Sequence, residues 1–266
     1  MAQLMKFSIV TVVRNGAHTI RDAIDAVRTQ QFPSVEHVII DGASTDGTLE
    51  VIDRYRHQLG KVVSEPDKGI YDGMNKGLEL ATGDVIGFLN ADDVYADDQV
   101  LRDVSVYFQE PSVDAVYGDL VYVSASDLGR VVRYWRSGEF QPGRFKSGWM
   151  PAHPTLFVRR EVYRRFGGFD LSFRLQSDFD LTMRLLEVHR IKAVYLPRIL
   201  VRMRLGGATN RSILNVIKGN IEAYRACKKN GVEVSPSFIL RKILSRVPQF
   251  FASRNVVAPV SRIGQR

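Results

Sequence analysis

Four short apolar segments in the first ninety residues constrain this chain more than any other feature of its sequence. They occupy residues 7–13, 36–40, 61–64 and 85–89. The first is rich in β-branched residues and lacks polar alternation, which is typical of a strand buried on both faces. Between the segments, apolar residues recur at intervals of three and four, which indicates helices. Strands and helices that alternate in this way predict right-handed crossovers and an α/β fold, with a mostly parallel sheet flanked by helices.

Polar residues come directly after three of the predicted strands. Arg14 and Asn15 follow the first strand, Asp41 follows the second, and Asn-Ala-Asp-Asp at 90–93 follows the fourth. In open parallel sheets, ligands bind outside the carboxyl ends of the strands. The sequence therefore predicts a binding site at that edge of the sheet.

The second half of the chain has a different pattern, which indicates a small antiparallel portion. Strand-like segments lie at 115–123, 129–135, 154–160 and 193–196. A helical periodicity covers 179–188, and two amphipathic helical patterns at 212–229 and 237–251 form a C-terminal extension.

The composition favours one large folded domain in a reducing compartment. Hydrophobic residues make up 45% of the 266 residues and charged residues 25%, which is enough apolar material for a sizeable core. The sequence contains no apolar run long enough to span a bilayer and no signal-peptide pattern, and Cys227 is its single cysteine. These features predict a cytoplasmic protein.

The net charge of +8 is distributed unevenly along the chain. Acidic residues concentrate in the first hundred residues, whereas 241–266 contains six Lys or Arg and no acid. This distribution argues against nucleic-acid binding and suits anionic phosphates or an anionic membrane surface better. Two interpretations of 237–266 stay open: peripheral contact with the inner membrane face, or docking on the main domain or on a second subunit of a homodimer.

The loop after the second strand combines two acids with two glycines. Asp41 to Gly47 can form a tight turn in which main-chain donors and Asp46 bind a small ligand, or it can be an ordinary capped loop with Thr45 or Asp46 at the start of the next helix. Asp41 itself follows an apolar strand directly. A carboxylate there needs a hydrogen-bond partner, because its desolvation without one costs free energy. The amide or imide edge of a base is a suitable partner.

The segment 90–93 offers alternating oxygen ligands at the mouth of the predicted sheet. Such ligands suit Mg²⁺ or Mn²⁺, which take one or two carboxylates together with waters and substrate phosphates. An Asn/Asp-rich turn without a metal is the alternative. The segment 64–77 is also polar, and its glycines are costly for a mere surface helix.

Taken in order, the segments FSIVTVVRN, IIDGASTDGT, SEPDKGIYDGMNKG and ATGDVIGFLNADD resemble family 2 glycosyltransferases with the GT-A fold. The similarity covers about residues 5–210 and is greatest to the bacterial exopolysaccharide branch that includes colanic acid biosynthesis glycosyltransferases. It implies a GT-A domain at 1–210, with a nucleotide-binding half at 1–113 and an acceptor-binding and catalytic half at 114–210. The remaining residues, 211–266, are then a basic helical extension.

The resemblance also implies which residues bind the donor. Asp41 and Asp67 hold the nucleotide base, and Asp92 is the ligand of Mn²⁺ or Mg²⁺. Asn90 takes the ribose side, where the family more often has Asp, and this departure predicts weaker metal affinity. The predicted donor-binding residues are Thr11, Arg14, Asn15, Asp41, Asp67, Lys68, Asn75, Asn90, Ala91 and Asp92.

For the catalytic base the resemblance points to Asp178, with Ser177 where the family often has Glu. Taken alone, Asp178 would be interpreted as a helix-capping acid. Asp180 points elsewhere on a helix and is predicted to be a cap or an orienting residue. His153, Arg204 and Asp93 are candidates for the acceptor or diphosphate pocket, and packing is the alternative for His153. The stretch 202–209 is either a lid over the diphosphate or a loop leaving the last strand.

The predicted function is metal-dependent, inverting transfer from a nucleoside-diphosphate sugar, with UDP favoured, to a hydroxyl of a saccharide or polyprenyl-linked acceptor. The alternatives are a nucleotide-sugar-binding module without turnover and another nucleotide-dependent transferase. The sequence lacks GxGxxG after the first strand, GxxxxGK[ST] and HExxH. Their absence argues against dinucleotide enzymes, P-loop enzymes and zinc hydrolases.

Overall fold

A mixed β-sheet forms the centre of the computed structural model, which describes residues 5–206, 213–235, 237–239 and 242. The strands in chain order are β1 Phe7–Val13, β2 Val35–Asp41, β3 Lys61–Ser64, β4 Val85–Phe88, β5 Val94–Tyr95, β6 Ala115–Val123, β7 Val131–Trp135, β8 Phe157–Arg159 and β9 Ala193–Arg204. Their order across the sheet is β3-β2-β1-β4-β8-β6-β9-β5, and β7 pairs with β6. The sheet therefore begins as a parallel α/β unit and continues with antiparallel members.

The parallel half agrees with the sequence prediction. Strands β1 to β4 pair in parallel, and β1 lies between β2 and β4. Strands β5, β7 and β8 pair antiparallel with their neighbours, which gives the predicted antiparallel portion. The mostly parallel α/β architecture with a small antiparallel part is confirmed.

Helices cover both faces of the sheet. They are α1 Ile20–Arg28, α2 Thr48–Asp53, α3 Ile70–Leu80, α4 Val100–Phe108, α5 Arg160–Phe166, α6 Ser177–Met183 and α7 Ile213–Lys229. Helix α6 continues into a π-helical turn at Arg184–Val188, and single 3₁₀ turns occur at Arg56–Gln58, Arg144–Ser147 and His153–Thr155. Buried apolar side chains fill the space between these helices and the sheet.

The glycines of α3 allow this helix to lie directly on β1. A Cβ atom at Gly73 would stand 2.6 Å from Val12 Cγ1, and one at Gly77 would collide with Val10. The glycines that are costly for a surface helix are therefore needed for close packing, which fixes the start of α3 beside the ends of β1 and β2.

Strand β9 is three times as long as the prediction of 193–196. It pairs in parallel with β6 from Ala193 to Arg204. Pro197 and three arginines break the apolar pattern of this stretch, so its sequence does not indicate a strand. The arginines are tolerated because they have partners: Arg198 pairs with Asp97 and Asp103, and Arg204 pairs with Asp22.

The described part of the C-terminal region packs on α6. Ala223, Ala226 and Cys227 of α7 are buried, and the Phe238 ring is buried against those of Phe179 and Tyr224. Within the described residues, no helix is long and apolar enough to cross a membrane. Most of the predicted helix 237–251 lies outside the described residues.

Candidate active site

The polar residues that end the strands lie along one edge of the sheet. Because β1 to β4 are parallel, the residues after all four strands emerge on the same side. Strand β8 runs the opposite way, so the turn that precedes it, His153–Thr155, lies at this edge as well. The topology therefore brings together segments that are far apart in the sequence.

Asp41, at the end of β2, is fully buried at this edge. Its Oδ2 accepts hydrogen bonds from the Ser44 backbone N–H at 3.0 Å and from the Ser64 hydroxyl at 2.6 Å. Its Oδ1 is buried and has no hydrogen-bond partner among the described residues. A buried carboxylate oxygen left without a donor is costly, so this atom is suited to accept a hydrogen bond from a ligand.

Asp67 and Arg14 flank Gly42, the residue next to Asp41. A Cβ atom at Gly42 would collide with Asp67 Oδ2 and would stand 3.4 Å from the Cβ of Arg14. Asp67 Oδ1 accepts the Gly69 backbone N–H at 3.0 Å. Lys68, beside Asp67, is exposed. The two carboxylates predicted to hold a base therefore lie on neighbouring loops.

Asn15 ties the loop after β1 to the loop after β2. Its backbone N–H donates to the Ser44 hydroxyl at 2.8 Å, and its Oδ1 accepts the Thr45 N–H at 2.9 Å. Asp46 accepts the N–H groups of Ala17 and Thr48, each at 3.1 Å. Asp46 thus holds the two loops together, whereas the N-cap of α2 is Gly47 and not the predicted Thr45 or Asp46. The Asn15 backbone, at φ 54°, adopts the left-handed conformation that Asn tolerates.

Two predicted donor-binding residues have other partners in the structure. Thr11 is fully buried, and its hydroxyl is hydrogen-bonded to His37 Nε2 at 2.9 Å. The amide of Asn75 holds the Phe169 backbone, donating to its carbonyl at 2.9 Å and accepting from its N–H at 2.8 Å. These contacts give Thr11 and Asn75 a role in packing the fold around the site.

The two carboxylates of the segment after β4 differ in burial. Asp93 is fully buried, and burial together with the Asp92 charge raises its pKa well above the usual range. It accepts hydrogen bonds from Asn90 Nδ2 at 2.9 Å and from the Arg204 N–H at 3.2 Å. Ala91 is buried, whereas Asp92 is half-buried. Of the two carboxylates, Asp92 is the one at the surface of the edge.

Arg204 supports this segment. Its Nη1 donates to the Asp92 carbonyl oxygen at 2.8 Å, and its Nη2 pairs with Asp22. Because Arg204 and Arg202 are both buried, they form no exposed lid. The rest of the predicted lid, from residue 207, lies outside the described residues.

The donor set suits a cation that arrives together with a diphosphate. No group of three or more His, Cys, Asp or Glu side chains within the described residues could hold a metal ion. Mg²⁺ and Mn²⁺ commonly bind through one or two carboxylates, with waters and substrate phosphates completing the shell. Asp92 fits the role of that carboxylate.

Asp178 lies in the first turn of α6, and its Oδ1 accepts two hydrogen bonds. The donors are the Tyr71 hydroxyl at 3.0 Å and the Phe179 N–H at 2.9 Å. Asp180 is buried and interacts with Arg184 Nε and Asn230 Nδ2, each at 2.8 Å. The half-buried Asp178 is therefore available for chemistry, and Asp180 is structural.

His153 packs against the end of β4. Its ring stacks on Phe88 with centroids 5.6 Å apart, and its buried Nε2 has no hydrogen-bond partner in the described part of the chain. Burial lowers the pKa of His153, and the charge of Asp178 opposes that shift. The imidazole is therefore neutral, lies within electrostatic reach of Asp178 and can form a hydrogen bond with a ligand.

Tyr71 is a residue at this site that the sequence does not single out. It belongs to the segment 64–77, but the hydrogen bond that gives it importance spans 107 residues of chain. Four of the aromatic residues at 134–149 have structural roles instead. Phe145 is buried, Trp149 Nε1 donates to the Ser137 carbonyl at 2.7 Å, the Tyr134 hydroxyl donates to Asp119, and Trp135 stacks on Tyr122.

Comparisons with known proteins agree on one class of enzyme. A family model described as Glycosyl transferase family 2 matches residues 8–167. The PGL/p-HBAD biosynthesis glycosyltransferase of Mycobacterium tuberculosis is 32% identical over 183 residues, which are 67% of this chain and 68% of the relative.

Two solved structures are similar in fold at low sequence identity. S. aureus TarS 1–349 in complex with UDP-GlcNAc is 19% identical with a TM-score of 0.64, over 96% of this chain and 71% of TarS. The mannosyltransferase PcManGT from Pyrobaculum calidifontis in complex with GDP-Man and Mn²⁺ is 17% identical with a TM-score of 0.63, over 95% and 74% of the two chains.

Proposed function

Because this chain belongs to glycosyltransferase family 2, we propose that it transfers a sugar from a UDP-sugar to an acceptor hydroxyl, with inversion and with a divalent metal. The observation that carries this proposal is the unpartnered Oδ1 of Asp41 at the edge that also holds Asp92 and Asp178. One edge then provides a base-recognition atom, a metal ligand and a proton acceptor.

The occupied oxygen of Asp41 favours uracil over guanine. Ser44 and Ser64 already donate to Oδ2, so a single oxygen remains for the base. Uracil presents one imide N–H, whereas guanine presents two parallel donors that suit a carboxylate with both oxygens available. Asp67 on the adjacent loop is the second carboxylate for the base. Arg14, Asn15, Lys68 and Asn90 lie on the loops that follow β1, β3 and β4 at the same edge.

Asp92 would hold Mn²⁺ or Mg²⁺. When bound, the ion would neutralise charge on the departing diphosphate. Arg204 and Asp93 would act indirectly, since they fix the Asp92 backbone and the turn that carries it.

Asp178 is the proposed general base. Its carboxylate accepts the proton of the acceptor hydroxyl, the acceptor oxygen bonds to the anomeric carbon, and the bond from that carbon to the diphosphate oxygen breaks on the opposite face. This direct displacement inverts the anomeric configuration. His153, neutral and with Nε2 available, would hydrogen-bond to a hydroxyl of the donor sugar or the acceptor.

The proposed acceptor is a saccharide or a polyprenyl-linked oligosaccharide, and the proposed location is the cytoplasm, with peripheral contact to the inner membrane face through 237–266. The basic residues of 241–266 support this contact. Docking on the protein is the other interpretation, and the burial of Phe238 and Lys242 supports it for the first part of the segment. Homodimerisation remains a further proposal.

A donor screen tests the proposal. UDP- and GDP-sugars are supplied with Mn²⁺, Mg²⁺ or a chelator, and release of nucleoside diphosphate is followed. We expect turnover with a UDP-sugar and a metal, and loss of activity by ~10² or more in Asp178→Asn, the scale of a lost general base. Calorimetry of UDP binding with and without Mn²⁺ should show that Asp92→Ala removes the metal dependence.

The exposed Asp53 on α2 offers a matched control, because Asp53→Asn removes one charge at a position outside the site. This variant should change neither turnover nor the metal dependence of UDP binding. Full turnover by Asp178→Asn would exclude this residue as the base. UDP-sugar binding without turnover under any condition would favour a binding module.

A further inference from the structure

The hydroxyl of Tyr71, near the start of α3, donates a hydrogen bond to Asp178 at the start of α6. We propose that Tyr71 is a positioning residue that aims the Asp178 carboxylate at the acceptor hydroxyl. This inference rests on the proposed role of Asp178 as the base and extends it to a residue that does not touch the reacting atoms.

The two hydrogen bonds to Asp178 reach the same oxygen. Tyr71 and the Phe179 N–H both donate to Oδ1, at 3.0 and 2.9 Å. Oδ2 makes no hydrogen bond within the described residues. Two donors from different directions fix the plane of the carboxylate, so Oδ2 is left to accept a proton.

The surroundings of Tyr71 hold its hydroxyl in place. Its ring stacks on Phe169 at 5.5 Å with an interplanar angle of 22°. Phe169 is fixed in turn by the Asn75 amide and by edge contacts with Phe88 at 5.2 Å and His153 at 5.5 Å. This cluster joins α3, β4 and the turn before β8 to the start of α6.

The Tyr71 hydroxyl remains a donor over the working pH range. Burial and the adjacent Asp178 charge both raise the pKa of Tyr71 well above its ordinary value. A hydroxyl that keeps its proton can donate to the carboxylate before and after the substrate binds.

Tyr71→Phe tests the proposal because it removes the hydroxyl and keeps the stacking ring. A hydrogen bond to a charged group contributes a net free energy that corresponds to a roughly 10- to 100-fold change in a rate or equilibrium constant. We expect kcat to fall by about that factor, with the KM for the donor unchanged.

Tyr163→Phe is the matched control. Tyr163 is also buried, but its hydroxyl has no hydrogen-bond partner in the described part of the chain, so its loss should leave kcat and KM unchanged. The thermal unfolding transition of each variant is measured first, and the assays are run at a temperature below both transitions.

A double-mutant cycle separates positioning from a structural role. In the Asp178→Asn background, Tyr71→Phe should have little further effect on kcat, because the two residues act through one carboxylate. Full additivity, or a Tyr71→Phe variant with an unchanged kcat, would overturn the proposal for Tyr71. Full activity of Asp178→Asn alone would instead refute the assignment of the base.

Discussion

At the scale of single residues, the role of a carboxylate depends on what occupies each of its oxygens. Asp41 and Asp178 each use one oxygen for the fold and leave the other for a ligand. Asp93 and Asp180 use both oxygens in buried contacts and are structural. Sequence position alone does not distinguish these cases, because Asp92 and Asp93 are adjacent and differ in burial.

The first prediction concerns the unpartnered oxygen of Asp41. In Asp41→Asn, an uncharged amide replaces the carboxylate, so the charge-assisted hydrogen bond to the base is lost. We expect the Kd for UDP, measured by calorimetry, to rise roughly 10- to 100-fold. Asp53→Asn should bind UDP like the unchanged protein. An unaltered Kd in the Asp41 variant would mean that the base is held elsewhere.

The sequence predicts the individual site residues better than it predicts their partners. Asp41, Asp92 and Asp178 are proposed because they follow strands or match a motif, and the structure leaves a carboxylate oxygen without a partner among the described residues at Asp41 and Asp178. Thr11 and Asn75 have the right chemistry, yet their hydrogen bonds go to His37 and to the Phe169 backbone. Such partners depend on strand pairing and on contacts across 94 residues, which local patterns do not contain.

At the scale of elements, the apolar strands are predicted well and the charged one is not. The strand predicted at residues 7–13 matches β1 in both bounds. The prediction for β9 ends eight residues early, because a pattern-based analysis treats Arg198, Arg202 and Arg204 as signs of a loop. The acids that compensate two of these arginines lie on α1, on α4 and in the loop before α4, and only the fold reveals them.

The second prediction concerns the pair β1–β2, which buries His37. Burial lowers the pKa of His37 from its ordinary value to about 3, so the folded protein keeps this side chain neutral while the unfolded chain protonates it below about pH 6.5. Stability is therefore lost as pH falls below that value. Between pH 7.5 and 5.5 this single group should cost about 1.4 kcal/mol in the free energy of unfolding.

Urea unfolding at the two pH values measures this effect. His37→Gln keeps a hydrogen-bonding group for Thr11 but cannot take up a proton. Between pH 7.5 and 5.5, the free energy of unfolding of this variant should therefore fall by about 1.4 kcal/mol less than that of the unchanged protein. His57→Gln, at an exposed position in the turn Arg56–Gln58, should behave like the unchanged protein. An equal loss of stability in the unchanged protein and in both variants would show that other groups cause the pH dependence.

At the scale of the whole molecule, the predicted GT-A architecture is confirmed, and the C-terminal region is more closely integrated than the word extension suggests. Glu222 of α7 accepts the N–H groups of Leu175 and Gln176 at 2.7 and 3.1 Å. Lys242 donates to Gln176 Oε1 at 2.7 Å and lies over the Phe179 ring. The residues around Asp178 are thus supported from beyond residue 210.

The third prediction tests this support through Phe238. Its ring is fully buried against Phe179, the residue after Asp178, so Phe238→Ala leaves a cavity beneath α6. We expect a loss of about 3–5 kcal/mol in the free energy of unfolding by urea. Because α6 carries the proposed base, kcat should also fall at temperatures where the variant is folded. Leu214→Ala, at a position of α7 that is 67% exposed, should change stability by no more than about 0.5 kcal/mol. A Phe238 variant as stable and as active as this control would show that α6 does not depend on the C-terminal region for its support.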